Sequence, residues 1–118
     1  MAKKTVIHLF HDDADSLMTG SRVAQRILEV APAAGVQVEV FCFGPAQRRL
    51  GLAETEADRV FNGRVDELVA AGVTVAACVN SARADGVEAD LQARGLDLQV
   101  ARDQFLRFTL EGATVITF

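Results

Sequence analysis

Two residues in this chain carry side chains suited to nucleophilic work, Cys42 and Cys78. They differ in context. Cys42 continues the valine stripe Val36, Val38, Val40, and reads as a small core hydrophobe. Cys78 closes the apolar run Val73-Thr74-Val75-Ala76-Ala77-Cys78, which reads as a strand buried on both faces. Asn80 and Ser81 follow, and either can cap a short helix. Cys78 is therefore expected where a parallel strand gives way to a helix N-terminus. Free amides and the helix dipole there favour a thiolate. Open α/β sheets also gather function at the carboxyl ends of their strands.

A second group of chemical residues is His11-Asp12-Asp13, with Asp15 close behind. These carboxylates can cap the following helix and favour its N-terminus. Alternatively, His11, Asp12 and Asp13 could bind a divalent cation. No further ligand is evident, so capping is preferred and neither a metal nor a cofactor is expected. The same carboxylates oppose a phosphate loop, which wants glycines and bare amides. His8 interrupts the first apolar run and reads as a core or edge histidine with a satisfied ring.

The elements that position these residues follow from periodicity. Thr5 to Phe10 reads as a first strand. A helix follows from Ala14 or Ser16 to Ala31, with Leu17, Ala24, Ile27, Leu28 and Ala31 at helical spacing and Pro32 at its exit. Val36 to Phe43 is a second strand, placed at or near an edge because Gln37 and Glu39 interrupt one face. Gly44-Pro45 ends it, and a short helical piece is expected over 46–50. Residues 51–61 are polar and read as a surface excursion. The helical period resumes from Phe61 through Val65, Leu68 and Val69 until Gly72. After the strand at Cys78, a short helix is expected over 88–94, a half-exposed strand over 96–100, and a helix from Ala101 to about Gly112. Ala113 to Phe118 forms the fifth strand. Alternation of this kind predicts a flavodoxin-like three-layer α/β/α sandwich around a five-stranded, mainly parallel sheet. Its carboxyl edge should gather His11 to Asp13, Gly44-Pro45, and Cys78 to Ser81. The last helix presents Leu106 and Leu110 beside its main apolar stripe, enough surface for a second subunit.

With 118 residues, half of them hydrophobic, the chain suits one domain over its whole length. A net charge of −4 and scattered basic residues argue against nucleic acid as a ligand. No run is long and apolar enough for a membrane span, and no secretory signal pattern leads the chain, so a cytoplasmic protein with reduced thiols is expected. A receiver domain needs an aspartate where Cys78 stands. A flavin site needs a phosphate loop and ring-stacking aromatics, and Trp and Tyr are absent.

Several stretches together resemble the DsrE-like sulfur-relay family. A Lys-led first strand ends in His11-Asp12-Asp13, and the second strand ends Val-Phe-Cys-Phe-Gly44-Pro45-Ala46. Leu68-Val69-Ala70-Ala71-Gly72-Val73-Thr74-Val75-Ala76-Ala77-Cys78 leads to Asn80-Ser81 and Gly86-Val87, and a helix reaching Glu111-Gly112 precedes a final strand. The Gly-Val-x-Val-x-x-Cys-x-x-Ser block is the most specific piece. The resemblance implies a homo-oligomer, trimer or hexamer. In sulfur-carrying members a cysteine after the middle strand holds a persulfide, and by position that is Cys78. The expected function is an intracellular persulfide carrier or sulfurtransferase, exchanging sulfur with donor and acceptor proteins. Asn80 and Ser81 would form an anion nest for the terminal sulfur, with Arg83 nearby. The alternative is a non-catalytic oligomeric binding module. It would hold a small ligand or metal among His11, Asp12, Asp13 and Gly44 at the same edge.

Overall fold

A computed structural model describes residues 3–118. Strands β1 (Lys3–Leu9), β2 (Val36–Cys42), β3 (Thr74–Cys78), β4 (Asp97–Gln99) and β5 (Thr114–Thr117) form one sheet in the order β4-β3-β2-β1-β5. Every pairing is parallel. Helices lie on both faces, as the alternation predicted. The chain steps outward strand by strand from β1 to β4, then returns to place β5 on the far side of β1. In flavodoxin itself the chain turns back after its second strand; here it turns back after its fourth.

The order corrects one expectation. β2 is the central strand, not an edge strand. Its polar residues are tolerated there for two different reasons. Gln37, at the amino end, is exposed. Glu39 is largely covered but flanked by two cations, Lys4 Nζ at 2.8 Å and Arg107 Nη2 at 2.9 Å. Burial works against its charge, and Arg107 and Lys4 outweigh that cost and hold the carboxyl below the usual glutamate range.

One face of the sheet is covered by α1 (Ala14–Val30) and α3 (Glu56–Ala70). Helix α1 buries Leu17, Gly20, Ser21 and Ala24, a stripe of helical period and mostly small residues. A Cβ at Gly20 would stand 2.4 Å from Leu9 Cδ2, so the glycine sets how closely α1 approaches β1. Helix α3 adds Phe61, Val65 and Leu68 to the same core, against Ile7, Leu9, Val40, Cys42, Val75 and Ala77. The short helices α4 (Val79–Ala84) and α5 (Glu88–Ala93) contribute Ala82 and Leu91 to it. The other face is packed by α6 (Ala101–Leu110), whose Ala101 and Phe108 meet Val6, Phe41, Ala76 and Cys78.

The stretch 51–61 lies at the surface over Gly51 and Ala53 to Glu56, as its composition suggests, but it is more ordered than a bare excursion. Helix α3 begins at Glu56, one turn earlier than the apolar period, and Thr55 and Asp58 close a capping box on it. Asp58 is 1% exposed and accepts the amides of Glu54 and Thr55, both at 3.1 Å. Arg49, in the turn after α2 (Pro45–Arg48), closes a two-pronged ion pair on the same carboxylate. Asn62 donates to the carbonyls of Arg49 and Leu52 and accepts from the Gly51 amide. Asp58 is buried and Asn62 half-buried because each satisfies the loop's own backbone.

Candidate functional site

The ends of β1, β2 and β3 lie side by side at the carboxyl edge, and each continues differently. β1 passes through Phe10 into the acidic turn. Phe10 and His11 donate their amides to the Phe118 carbonyl. β2 passes through Phe43 to Gly44, which adopts a φ of 63°. A Cβ there would lie 2.4 Å from the Phe10 ring, so only glycine fits this turn. β3 ends on Cys78, which is also the residue preceding α4.

Cys78 is 5% exposed and faces α6. Its position corrects the expected cap. Neither Asn80 nor Ser81 precedes α4; Cys78 itself holds the N-cap place, and the two residues supply the second and third amides of the helix. No side chain closes a standard cap on α4 or on α6. Orphan donors are left, and they surround the sulfur. Burial pushes the Cys78 thiol up. Hydrogen bonding from the Ser81 amide and hydroxyl, the Asn80 amide and the Ala101 amide outweighs it and holds the thiol below its ordinary value. The donors belong to the first turns of two helices, α4 and α6. Cys42 has the reverse environment. It is fully buried among aliphatic side chains and pushed up to about 12.

Gln47, which sequence reasoning passed over, touches Cys78 directly. Its Nε2 donates to the Cys78 carbonyl at 2.8 Å, and its Oε1 accepts the Cys78 amide at 2.9 Å. The side chain is 4% exposed. Its one sequence signal was its place just past Gly44-Pro45, at the end of the neighbouring strand.

Arg83 does not contribute charge at the sulfur, because it pairs with Glu88. His11, Asp12 and Asp13 are exposed. Asp13 caps α1, accepting the Ser16 amide at 3.0 Å. Asp12 lines a separate hollow of about 360 Å³ with Leu17, Arg49, Thr55 and Asp58. Among the described residues, no three His, Cys, Asp or Glu side chains converge as a metal would require. His8 also departs from its expected satisfied state. It is 7% exposed; Nδ1 meets Thr117 Oγ1 at 3.0 Å, and Nε2 has no partner. The ring lies among Phe10, Phe41 and Phe105, and burial followed by the charge of His11 lowers its pKa.

A five-stranded parallel α/β domain with a donor-ringed cysteine at the end of its third strand defines the class. The chain belongs to the DsrE/DsrF-like family, whose model matches residues 4–118. Its fold is similar to three solved structures. A conserved protein of unknown function from Bacteroides thetaiotaomicron superposes with a TM-score of 0.76 at 14% identity, covering 98% of this chain and 95% of that one. A protein of unknown function from Methanobacterium thermoautotrophicum gives 0.72 at 24% identity, covering 98% and 99%. The ychN protein of E. coli gives 0.72 at 19% identity, with both chains covered fully, 100% each. No curated protein matches the sequence. Among the described residues, no helix is long and apolar enough to cross a membrane.

Proposed function

We propose that this protein is a sulfur carrier and that Cys78 is its acceptor. The thiolate attacks the outer sulfur of a donor persulfide. The donor's S–S bond breaks, its inner sulfur leaves as a thiolate, and the outer sulfur remains on Cys78 as a persulfide. Transfer onward repeats the exchange with Cys78 as the leaving group, and no net oxidation occurs. The observation that carries this reading is the place of Cys78 at the N-cap of α4 and against the start of α6, two helix starts with no side-chain cap, whose Ser81, Asn80 and Ala101 donors favour the anion despite burial. Charge-assisted donors of this kind stabilise a thiolate, and the same kind of donor would serve the outer sulfur of a persulfide anion. The test is incubation with a low-molecular-weight persulfide followed by intact mass. A gain of one sulfur atom, lost in Cys78→Ser and kept in Cys42→Ser, is the expected result. No gain on the native chain would remove the reading.

A binding module without transfer is favoured by a different observation, the 5% exposure of Cys78. Site-resolved alkylation at neutral pH separates the two readings. Fast labelling of Cys78 over Cys42 supports transfer, and equal sluggishness supports the module. In either case the chain is expected to self-associate. Leu106 and Leu110 on α6 are 57% and 78% exposed, and Val115 and Ile116 on the edge strand β5 are 39% and 38% exposed. Apolar surface so placed suits a second copy of the chain. Sedimentation should give a trimer or hexamer, and Leu110→Glu should shift it toward the monomer.

A further inference from the structure

The last residue of β3 keeps a strand partner on one side only, Gln99 of β4. β3 pairs with β2 up to Cys42 opposite Ala77. Beyond that point β2 leaves the sheet, because Gly44 turns left-handed and Pro45 offers no amide. On that side Cys78 N–H and C=O would then be unpaired in a buried place, where an unmet polar group is costly. The Gln47 side chain meets both, at 2.9 and 2.8 Å. A primary amide carries one acceptor and one donor side by side, as a peptide unit does. The orientation of the amide is fixed by its partners, since Cys78 N–H needs oxygen and Cys78 C=O needs nitrogen.

We propose that Gln47 is a positioning residue for Cys78, a side-chain substitute for β2 where that strand has ended, which holds the cysteine backbone so that its sulfur faces the Asn80, Ser81 and Ala101 donors. The proposal rests on the reading of Cys78 as a reactive thiol. Its geometry is independent of that reading, because both bonds are to the backbone and neither is to sulfur. Cys78 is where the extended backbone of β3 bends into α4, with φ −74° and ψ 122°. A few tens of degrees of freedom there would swing the sulfur out of line with amides fixed in α4 and α6. Gln47 itself has little freedom: it is anchored in α2, and the Ala46 amide is tied to the Phe10 carbonyl at 2.9 Å.

Two variants test this in the intact chain. Gln47→Met keeps the volume and removes both hydrogen bonds. Gln47→Leu also removes both hydrogen bonds and, like methionine, adds no charge near the sulfur. The measurement is the rate of iodoacetamide labelling at Cys78 against pH, resolved by mass, with Cys42 as an internal control for opening of the chain. Native Cys78 should show its half-point below the ordinary thiol value of about 8.5. Either variant should raise that half-point by about one unit, which is about tenfold slower labelling near neutrality. A half-point unchanged from the native chain, with Cys42 still protected, overturns the proposal and leaves the carrier reading standing. An ordinary half-point in the native chain removes the carrier reading and this proposal with it. If both variants expose Cys42, Gln47 is a general structural support and the proposal also falls.

Discussion

Cys42 and Cys78 end adjacent parallel strands yet face opposite sides of the sheet. Cys42 is sealed into the core under α1 and α3, and Cys78 looks toward the start of α6. Cys42 should therefore report unfolding alone. Its thiol, pushed up to about 12 by burial, should resist alkylation in the native chain and react only as fast as the chain opens. Labelling of Cys42 across a urea series, compared with the unfolding curve by circular dichroism, checks this. Reaction of Cys42 well below the transition would contradict it.

The Arg49–Asp58 pair predicts acid sensitivity. Arg49, aided by the Thr55 and Glu54 amides, holds the Asp58 carboxyl below the usual aspartate value. A lowered folded value means the contribution is present above the unfolded pKa, about 3.9. It is lost as the pH falls through the folded value. Asp58→Asn should destabilise the chain at neutral pH by about 1–2 kcal/mol, chiefly because it weakens the capping box, while Arg49 keeps only the longer pairing with Glu54. Below about pH 4 the difference from the native chain should shrink. Urea midpoints at several pH values measure both effects.

His8 acts in a different window. Its folded pKa is lowered, first by burial and then by His11. Between about pH 6.5 and the lower folded value, the unfolded chain binds a proton that the native chain does not, so stability rises with pH there. His8→Phe should flatten that part of the stability profile. An identical slope in the variant, again by urea midpoints, would mean that His8 is not the group responsible.

Gly44 should tolerate no side chain. Its φ of 63° and the 2.4 Å approach of a Cβ to Phe10 both count against alanine. Gly44→Ala should cost about 2–3 kcal/mol, read from the thermal midpoint. Gly51→Ala also has a positive φ, 81°, but nothing stands within 4 Å of its Cβ. It should cost less, and the gap between the two isolates the Phe10 contact.

The layers of this fold were legible because strands and helices announce themselves by period. Leu17 and Ala24 recur at helical spacing along the chain, and both are buried on α1. Strand order was not legible, because period says nothing about which strand pairs with which. Glu39 shows the cost: a carboxylate in a strand suggested an edge, and only Lys4 and Arg107, distant in sequence, make it acceptable at the centre. Cys78 could be singled out because strand-to-helix transitions are visible in sequence. Gln47 could not, because a buried glutamine looks like a surface one until its two backbone partners are known. Asp58 and Asn62 were hidden for the same reason.

Placing β5 beside β1 has a consequence for how the molecule is made. His8 and Thr117 are 109 residues apart in the chain and neighbours in the sheet. One flank of the first strand must stay unpaired until β5 has been made, and long-range closure of this kind is slow. Its bare edge is then a template for intermolecular pairing. A newly made copy should be most prone to aggregate in that interval, when β1 to β4 have been made and β5 has not yet closed the sheet.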